Sequence, residues 1–183
     1  MSGFVLWFTG LSAAGKTTVG TLVARELEER GLTVDVLDGD VVRTHLSQGL
    51  GYSKEDRDIN IARIGWVASR LARSGAAVVV SAISPYEEAR RRARSLVEEN
   101  APFVEVHVAT PLEVCAERDP KGLYKKALAG EIDHFTGVSD PYEVPENPEL
   151  RLHTEGREPA ESAAAVLARL EELELVRQKE RVA

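Results

Sequence analysis

Cysteine, positive charge and long apolar runs are all scarce in this chain of 183 residues. The single cysteine, Cys115, excludes an internal disulfide and fits a reducing cytoplasm. The formal net charge of −7 argues against a nucleic-acid partner, because nucleic-acid-binding proteins usually carry a basic face. No apolar run approaches the roughly 18–20 residues of a membrane span, and the first residues lack the basic start of a signal peptide. We therefore expect a soluble cytoplasmic protein whose partners are neither membranes nor nucleic acids.

The rest of the composition is that of an ordinary globular chain, long enough for one domain with a sizeable core. Apolar runs without strict alternation predict buried strands at 4–9, 33–37, 76–81, 103–109 and, more weakly, 150–153. Helical periodicity predicts helices at 17–30, 58–74, 87–100 and 159–175, with shorter helical pieces at 41–50 and 112–117. Strands that alternate with helices predict an α/β fold with a parallel sheet covered on both faces.

The alternation breaks over a long segment in which glycine, proline and charged residues accumulate. A stretch of this length with little core is usually a lid or a binding segment, and we place it at about 119–148. We expect one domain over 1–183, with a frayed polar tail at about 176–183.

One phosphate-binding motif stands at the end of the first predicted strand. The sequence GLSAAGKT at 10–17 matches G-x-x-x-x-G-K-[ST] between a strand and a helix, the context that this motif requires. It predicts a P-loop NTPase, a three-layer α/β/α fold with a mostly parallel five-stranded sheet, and it predicts ATP and Mg²⁺ as cofactors. Lys16 is expected to bridge the β- and γ-phosphates and Thr17 to bind Mg²⁺. The other residues expected to contact ATP are Gly10, Ser12, Ala13, Ala14, Gly15 and Thr18.

Two aspartates follow the second predicted strand. The strand at 76–81 ends in serine rather than in the usual magnesium aspartate, and no N-K-x-D motif is present, which argues against motor ATPases and GTPase switches. Asp38 and Asp40 flank Gly39 at the carboxyl edge of the sheet, where ligands of α/β folds bind. One of the two can orient Mg²⁺ through water and the other can accept a proton from an attacking hydroxyl, and the sequence leaves open which does which.

Further motifs make the chain resemble the adenylylsulfate kinases, which make 3′-phosphoadenylyl sulfate from adenylyl sulfate and ATP in sulfate assimilation. The motifs that carry this resemblance run along nearly the whole chain: GLSAAGKT at 10–17, LDGD at 37–40, GYS at 51–53 with Asp56, Arg57 and Asn60, ISP at 83–85, RDPKGLYKKA at 118–127, GEI at 130–132 and FTG at 135–137. The last three blocks are peculiar to the family and weigh most.

The resemblance implies a role for individual residues. The residues that it places around adenylyl sulfate are Asp40, Arg43, Tyr52, Arg57, Asn60, Ile83, Ser84, Lys121 and Phe135. It puts Arg118 on the ATP side and Asp38, Asp40, Lys16 and Ser84 among the catalytic residues. Ser84 matches a serine described as a phosphorylated intermediate in bacterial members, but direct in-line transfer needs only positioning and charge stabilisation, and we expect direct transfer. Arg43 and Arg57 can offer bidentate donors to the substrate's two neighbouring charges, and Phe135 can stack on adenine.

The chain departs from the family pattern at a few positions. Val41 stands where the family has asparagine beside the predicted base, and Ala82 stands where it has phenylalanine. Tyr52 replaces a phenylalanine and keeps an aromatic wall. Ala13 and Ala14 replace the commoner Gly-Ser pair, and we expect little harm because only their backbone N–H groups are needed. Val41 and Ala82 leave the acceptor less certain than the reaction type.

Other conspicuous residues are assigned to structure. The four histidines, which show no metal-ligand spacing, are His45, His107, His134 and His153. Cys115, Trp7 and Trp66 are interpreted as core residues, and the basic run of Arg90, Arg91, Arg92 and Arg94 as a solvated helix face.

Three functions therefore stay open. The leading hypothesis is transfer to the 3′-hydroxyl of adenylyl sulfate. The second keeps the kinase chemistry but uses another nucleotide-like or small anionic acceptor. The third is a non-catalytic nucleotide-binding module, against which the presence of Asp38, Asp40 and Lys16 argues. The resemblance also implies a homodimer and an association or fusion with a sulfurylase.

Overall fold

The computed structural model describes residues 3–177. Its strands are β1 (Phe4–Thr9), β2 (Val34–Asp38), β3 (Ala77–Ser81), β4 (Phe103–Val108) and β5 (Leu150–Leu152). They form one sheet in the order β2-β3-β1-β4-β5, and every neighbouring pair is parallel. The predicted strands are thus all present, with bounds that differ by a residue or two.

Helices cover both faces of this sheet. They are α1 (Lys16–Glu29), α2 (Gly39–His45), α3 (Lys54–Arg73), α4 (Glu87–Glu98), α5 (Leu112–Arg118), α6 (Leu123–Leu128) and α7 (Pro159–Glu172). Successive strand residues point to opposite faces, so Leu6 and Phe8 pack on the side of α1 and α7, whereas Val5 and Trp7 pack on the side of α3 and α4. The predicted three-layer α/β/α architecture is confirmed.

Local hydrogen bonds account for two differences from the predicted helices. Helix α3 begins four residues earlier than predicted, because the Ser53 hydroxyl accepts a hydrogen bond from the Asp56 amide at 3.2 Å and caps the first turn. Helix α6, which apolar periodicity did not reveal, lies inside the predicted lid. Its first turn is held by the Asp119 carboxylate, which accepts from the amides of Tyr124 and Lys125 at 3.1 and 3.0 Å.

Two assignments of side chains to core or surface are wrong. Trp66 was predicted to be buried but is 57% exposed, since the apolar stripe of α3 runs through Ile61, Ile64 and Ala68 and leaves Trp66 on the other side. The basic run on α4 is not simply a solvated face. Arg90 is only 3% exposed, because the carboxylate of Glu105 on β4 lies under the helix and pairs with it. Arg94 is also partly buried, against Glu149 and Glu105.

The chain end departs from the prediction in part. Val176 was predicted to belong to a frayed tail, but its side chain is buried in the core formed with α1 and α7. The rest of that predicted tail, from residue 178 onward, lies outside the described residues. Within residues 3–177, none of the helices combines the length and the apolar character needed to cross a bilayer.

Candidate active site

A cleft of about 900 Å³ opens at the carboxyl ends of β1, β2 and β3. Because these strands are parallel neighbours, the segments that follow them meet at one edge of the sheet. The phosphate loop follows β1, the acidic pair follows β2, and the segment 82–85 follows β3. The segment 118–136 closes the remaining side, so that residues from all the predicted motifs line a single cleft.

The phosphate loop joins β1 to α1 with a backbone that favours glycine. At Gly10 a Cβ atom would lie 2.6 Å from the Val108 carbonyl oxygen, and at Gly15, just before α1, φ is 108°. Ala13 also has a positive φ, 59°, which costs an L-residue on the order of 1 kcal/mol. The exchange of glycine for alanine at this position is therefore accommodated with some backbone strain.

Buried polar side chains from outside the cleft hold the same loop. Thr110 and Thr154 each donate to the Ala14 carbonyl, at 2.8 and 3.2 Å. The Tyr124 hydroxyl donates to the Ser12 carbonyl at 3.0 Å. Sequence reasoning missed these three residues. The sequence feature that could have indicated them is their position: Thr110 follows β4, Thr154 follows β5, and Tyr124 lies inside the KGLYKKA block.

Lys16 lies buried beneath the loop. Its Nζ donates to the carbonyls of Gly10 and Leu11 at 2.9 and 2.7 Å. Burial lowers the pKa of this ammonium group to about 8, although Asp38 and Asp40 favour the charged form. Lys16 also lines the cleft beside the phosphate loop, whose backbone N–H groups suit the phosphates of a nucleotide.

Asp38 joins the phosphate loop to the acidic turn. One carboxylate oxygen accepts from the Thr17 hydroxyl at 2.7 Å, and the other accepts from the Asp40 amide at 3.0 Å and caps α2. A hydroxyl and a carboxylate side by side are the oxygen donors that Mg²⁺ uses together with phosphates and water. Among residues 3–177, no cluster of three or more His, Cys, Asp or Glu could hold a metal by itself. The donor set at Thr17 and Asp38 thus fits a magnesium ion that arrives with a nucleotide.

The carboxylate of Asp40 is exposed to the cleft and pairs with the ammonium group of Lys121. This ion pair connects the acidic turn after β2 to the predicted lid. Both groups are well exposed, so the contact contributes little to stability and can exchange readily.

The two arginines predicted to bind the acceptor, Arg43 and Arg57, line the cleft and hydrogen-bond to backbone carbonyls of neighbouring segments. Arg43 donates to the Gly51 carbonyl at 2.9 Å, and its guanidinium carbon lies 4.3 Å from the centre of the exposed Tyr52 ring. Arg57 is buried and donates to the carbonyls of Tyr52 and His134. Burial lowers the pKa of Arg57.

Asn60 presents an unused acceptor in the same wall. Its side chain is buried, and its Oδ1 has no hydrogen-bond partner within the described residues. A buried polar atom of this kind is costly unless something else satisfies it. Asn60 lines the cleft, so a bound molecule can supply the missing donor.

Ile83 and Ser84 form the floor of the acceptor side. Ser84 has a φ of 41°, and its hydroxyl accepts from Trp7 Nε1 at 3.1 Å and donates to the Ala82 carbonyl at 3.3 Å. The residue is buried and its hydroxyl is engaged on both sides. This geometry favours a structural role for the Ser84 side chain over that of a phosphate carrier.

Phe135 lies in the predicted lid, and Arg118 is the last residue of α5, just before it. Phe135 packs edge-on against Tyr124 with ring centres 4.9 Å apart, and it also lines the cleft, so it is both a packing residue and a wall. Arg118 lies at the nucleotide end, 3.3 to 3.4 Å from oxygens of Ala13, Ala14 and Thr154. Val41 is exposed on the rim of the cleft and Ala82 is buried in its wall, so both unusual residues face the site.

Known proteins match this chain over nearly its full length. A family model described as adenylylsulphate kinase matches residues 2–153. An adenylyl-sulfate kinase of Halothermothrix orenii is 55% identical over 170 residues, which cover 93% of this chain and 90% of the relative. A probable bifunctional SAT/APS kinase of Sorangium cellulosum is 57% identical over 94% of this chain, which spans 29% of that longer relative. The structure of a Mycobacterium tuberculosis APS kinase in complex with AMPPNP and APS superimposes with a TM-score of 0.90 at 48% identity, covering 93% of this chain and 98% of that one.

Proposed function

Because this chain belongs to the adenylylsulphate kinase family, we propose that it transfers the γ-phosphoryl group of ATP to the 3′-hydroxyl of adenylyl sulfate. The products are 3′-phosphoadenylyl sulfate and ADP. A bond forms between the 3′-oxygen and the γ-phosphorus, and the bond from that phosphorus to the oxygen bridging to the β-phosphate breaks. The observation that carries the proposal is the single cleft that joins the phosphate loop to Asp40, Arg43, Arg57 and Asn60.

The nucleotide end supplies charge stabilisation. The loop's backbone N–H groups and the N-terminus of α1 face the phosphates, and Lys16 turns from its two carbonyl acceptors to the β- and γ-phosphates. Thr17 and Asp38 would hold Mg²⁺, which when bound neutralises charge on the phosphates. Arg118 covers the nucleotide side of the loop.

The acceptor end orients the hydroxyl. Arg43 and Arg57 have guanidinium donors beyond those committed to backbone carbonyls, and these suit the phosphate and sulfate charges of adenylyl sulfate. Asn60 Oδ1 accepts a donor from the bound molecule. Tyr52, Ile83 and Phe135 supply the flat apolar surfaces against which an adenine ring can lie.

Asp40 is the better candidate for the base. Asp38 is occupied by the Thr17 hydroxyl and the Asp40 amide, which suits a metal-side role. The Asp40 carboxylate faces the cleft and pairs with the exposed ammonium group of Lys121. When adenylyl sulfate binds, Lys121 can shift to its negative charges, and Asp40 then accepts the proton of the 3′-hydroxyl.

The test is ADP release measured with a panel of acceptors under one set of conditions. Adenylyl sulfate should support turnover at a kcat/KM at least a hundredfold above that with AMP, adenosine or a sugar acid. Comparable turnover with another acceptor would favour the second hypothesis, in which Val41 and Ala82 reshape the acceptor side. ATP binding without turnover of any acceptor would favour a non-catalytic module.

Three wider expectations belong to this proposal. We expect residues 1–183 to form one kinase domain, with 119–148 as its lid, acting in the cytoplasm. A homodimer is expected, and sedimentation equilibrium of the purified chain tests it. The bifunctional relative of Sorangium cellulosum supports an association with a sulfurylase, which co-purification with that enzyme would test.

A further inference from the structure

We infer that Arg90 is a positioning residue for the phosphoryl transfer, one that fixes the floor of the acceptor side to the end of the lid without touching either substrate. Arg90 lies on α4, is 3% exposed and does not line the cleft. The kinetic consequences of this inference rest on the proposed function. The hydrogen bonds by which Arg90 joins the two segments do not depend on that function.

The first contact of Arg90 is with the floor of the site. Its Nη1 donates to the Ser84 carbonyl at 2.8 Å, in a buried position. Ser84 has a left-handed backbone, which a side-chain-bearing residue adopts only when its surroundings hold it there. The Ile83 carbonyl next to it accepts from the Thr9 hydroxyl at 2.7 Å. Arg90 therefore secures one of the two consecutive carbonyls that set how this floor faces the acceptor.

The second contact is with the end of the lid. The Nη2 of Arg90 donates to the Glu143 carbonyl at 2.8 Å. Glu143 also hydrogen-bonds to the residues that follow the floor, since its amide donates to the Pro85 carbonyl at 2.8 Å and its carboxylate accepts from the Glu87 amide at 2.6 Å. One guanidinium thus bridges the floor of the cleft and the last part of the predicted lid.

The third contact keeps the guanidinium in place. Arg90 Nε lies 3.0 Å from the Glu105 carboxylate on β4, which lies between β1 and β5 in the sheet. The Tyr142 ring lies 5.9 Å from the guanidinium carbon, and its hydroxyl shares a hydrogen bond with Thr9 at 2.9 Å. A planar fork thus hydrogen-bonds to two carbonyls and pairs electrostatically with Glu105, whose Oε1 has no hydrogen-bond partner within the described residues. A lysine ammonium on a flexible stem cannot match that geometry.

Arg94 offers a matched comparison. It lies one turn further along α4, is also partly buried, and pairs with Glu149, Glu98 and Glu105. Its side chain hydrogen-bonds to neither Ser84 nor Glu143, but to Glu98, Phe103 and Glu149. Removal of Arg94 should loosen the same buried charge cluster without releasing the floor of the acceptor side.

The experiment compares Arg90→Lys with Arg94→Lys, each keeping a positive charge beside Glu105. In Arg90→Lys the kcat/KM for adenylyl sulfate should fall about ten- to a hundredfold, because misplacement of a reacting group by about 1 Å can cost a factor of about 10² in rate. The KM for ATP should stay within about twofold in both variants, and Arg94→Lys should leave the kcat/KM for adenylyl sulfate within about twofold. An unchanged value in Arg90→Lys, or an equal fall in Arg94→Lys, would overturn the inference.

A second measurement needs no substrate. The amides of Glu87 and Glu143 should exchange hydrogen faster in Arg90→Lys than in Arg94→Lys, and equal exchange would contradict the tie. If Arg90→Lys does not fold, the double variant Arg90→Gln/Glu105→Gln removes both charges and is measured in its place, with the same expected outcomes. Wild-type protein that fails to phosphorylate adenylyl sulfate would refute the proposed function and leave the exchange comparison as the test of Arg90.

Discussion

At the scale of single residues, several side chains of the site are expected to exchange the partners they have in this structure for a bound substrate. Lys16 is bonded to two backbone carbonyls, Asp40 to Lys121, and Asn60 Oδ1 to nothing in the described chain. Such groups cost stability and are retained where they serve a ligand. For Lys16 this yields a prediction in which stability and activity move separately.

Lys16→Met should abolish phosphoryl transfer and stabilise the protein measured without nucleotide. Burial lowers the pKa of Lys16 from 10.5 to about 8, so folding at pH 7 carries the cost of burying a charge. Between pH 8 and 10.5 the unfolded chain binds one more proton than the folded one, so the wild-type free energy of unfolding rises with pH there. Urea unfolding should show the variant more stable by on the order of 1–3 kcal/mol at pH 7, with the difference shrinking above pH 8.

The activity of the same variant decides whether Lys16 serves the transferring group. A fall in kcat of at least about a thousandfold is expected, because an ammonium is lost from the developing charge. A near-normal kcat would contradict the role of the phosphate loop.

Asp40→Asn should lower kcat about 10²–10⁴-fold, since the amide keeps the shape of the carboxylate but cannot take the proton of the acceptor. ATP affinity should change little, and Asp38→Asn is the matched comparison because it alters the Thr17 contact instead. We expect Asp38→Asn to shift the Mg²⁺ dependence. If the shift in Mg²⁺ dependence occurs in Asp40→Asn, the roles of the two aspartates are exchanged.

Residue types and spacing could predict much of this site, but not its supporting contacts. The phosphate loop and the acidic pair could be predicted because few purely structural roles require glycines and carboxylates at these spacings. Trp66 and Arg90 were assigned to the wrong environment, because the exposure of a helical side chain depends on which elements pack against its side of the helix. No residue pattern within α4 indicates that the carboxylate of Glu105, on β4, lies beneath this helix.

At the scale of elements, hydrophobic periodicity predicted least about the structure of the predicted lid. Its short helix α6 buries Tyr124 and Ala127, and its first turn is held by hydrogen bonds to the Asp119 carboxylate. The Tyr124 hydroxyl then ties this helix to the phosphate loop. Further contacts hold the predicted lid near both of its ends, those of Lys121 with Asp40 and of Glu143 with Arg90.

Phe135→Ala should raise the KM for adenylyl sulfate by about one to two decades and leave the KM for ATP nearly unchanged. Stacking on a base is worth roughly 1–3 kcal/mol. Because Phe135 also packs on Tyr124, the alanine variant should melt at a lower temperature, so Phe135→Leu serves as the control that keeps packing volume without the ring face. Full recovery of the KM in Phe135→Leu would show that packing alone matters.

At the scale of the whole molecule, the alternation of strands and helices predicted the layers, and the resemblance to the kinase family is confirmed. Alternation does not determine which strands are neighbours. The order β2-β3-β1-β4-β5 depends on where each connection crosses the sheet, and that is decided by packing of α1 and α7 on one face and α3 and α4 on the other. This order is what brings Gly10, Asp38 and Ser84 to one edge.

The central sheet also buries a titratable group that the proposed chemistry does not use, His107 on β4. Its ring stacks on Tyr142 with centres 5.8 Å apart, and its Nδ1 has no hydrogen-bond partner within the described residues. Burial, with smaller contributions from Arg151, Arg90 and His153, lowers the pKa of His107 to about 4. The neutral form is therefore the one that the folded protein holds at neutral pH.

This histidine should make the fold sensitive to mild acid. Between pH 6.5 and 4 the unfolded chain binds a proton on His107 that the folded chain does not, so the free energy of unfolding falls as the pH falls through that window. The loss should be on the order of 2–3 kcal/mol, and His107→Gln should remove it. Urea unfolding at pH 7, 6, 5 and 4.5 measures the slope, with exposed His45→Gln as the control that should behave as wild type. A slope in His107→Gln equal to that of wild type would mean that other groups set the acid limit of the fold, first among them the carboxylate of Glu149, whose pKa is lowered in the folded protein by hydrogen bonds from Arg94 and the Glu105 amide.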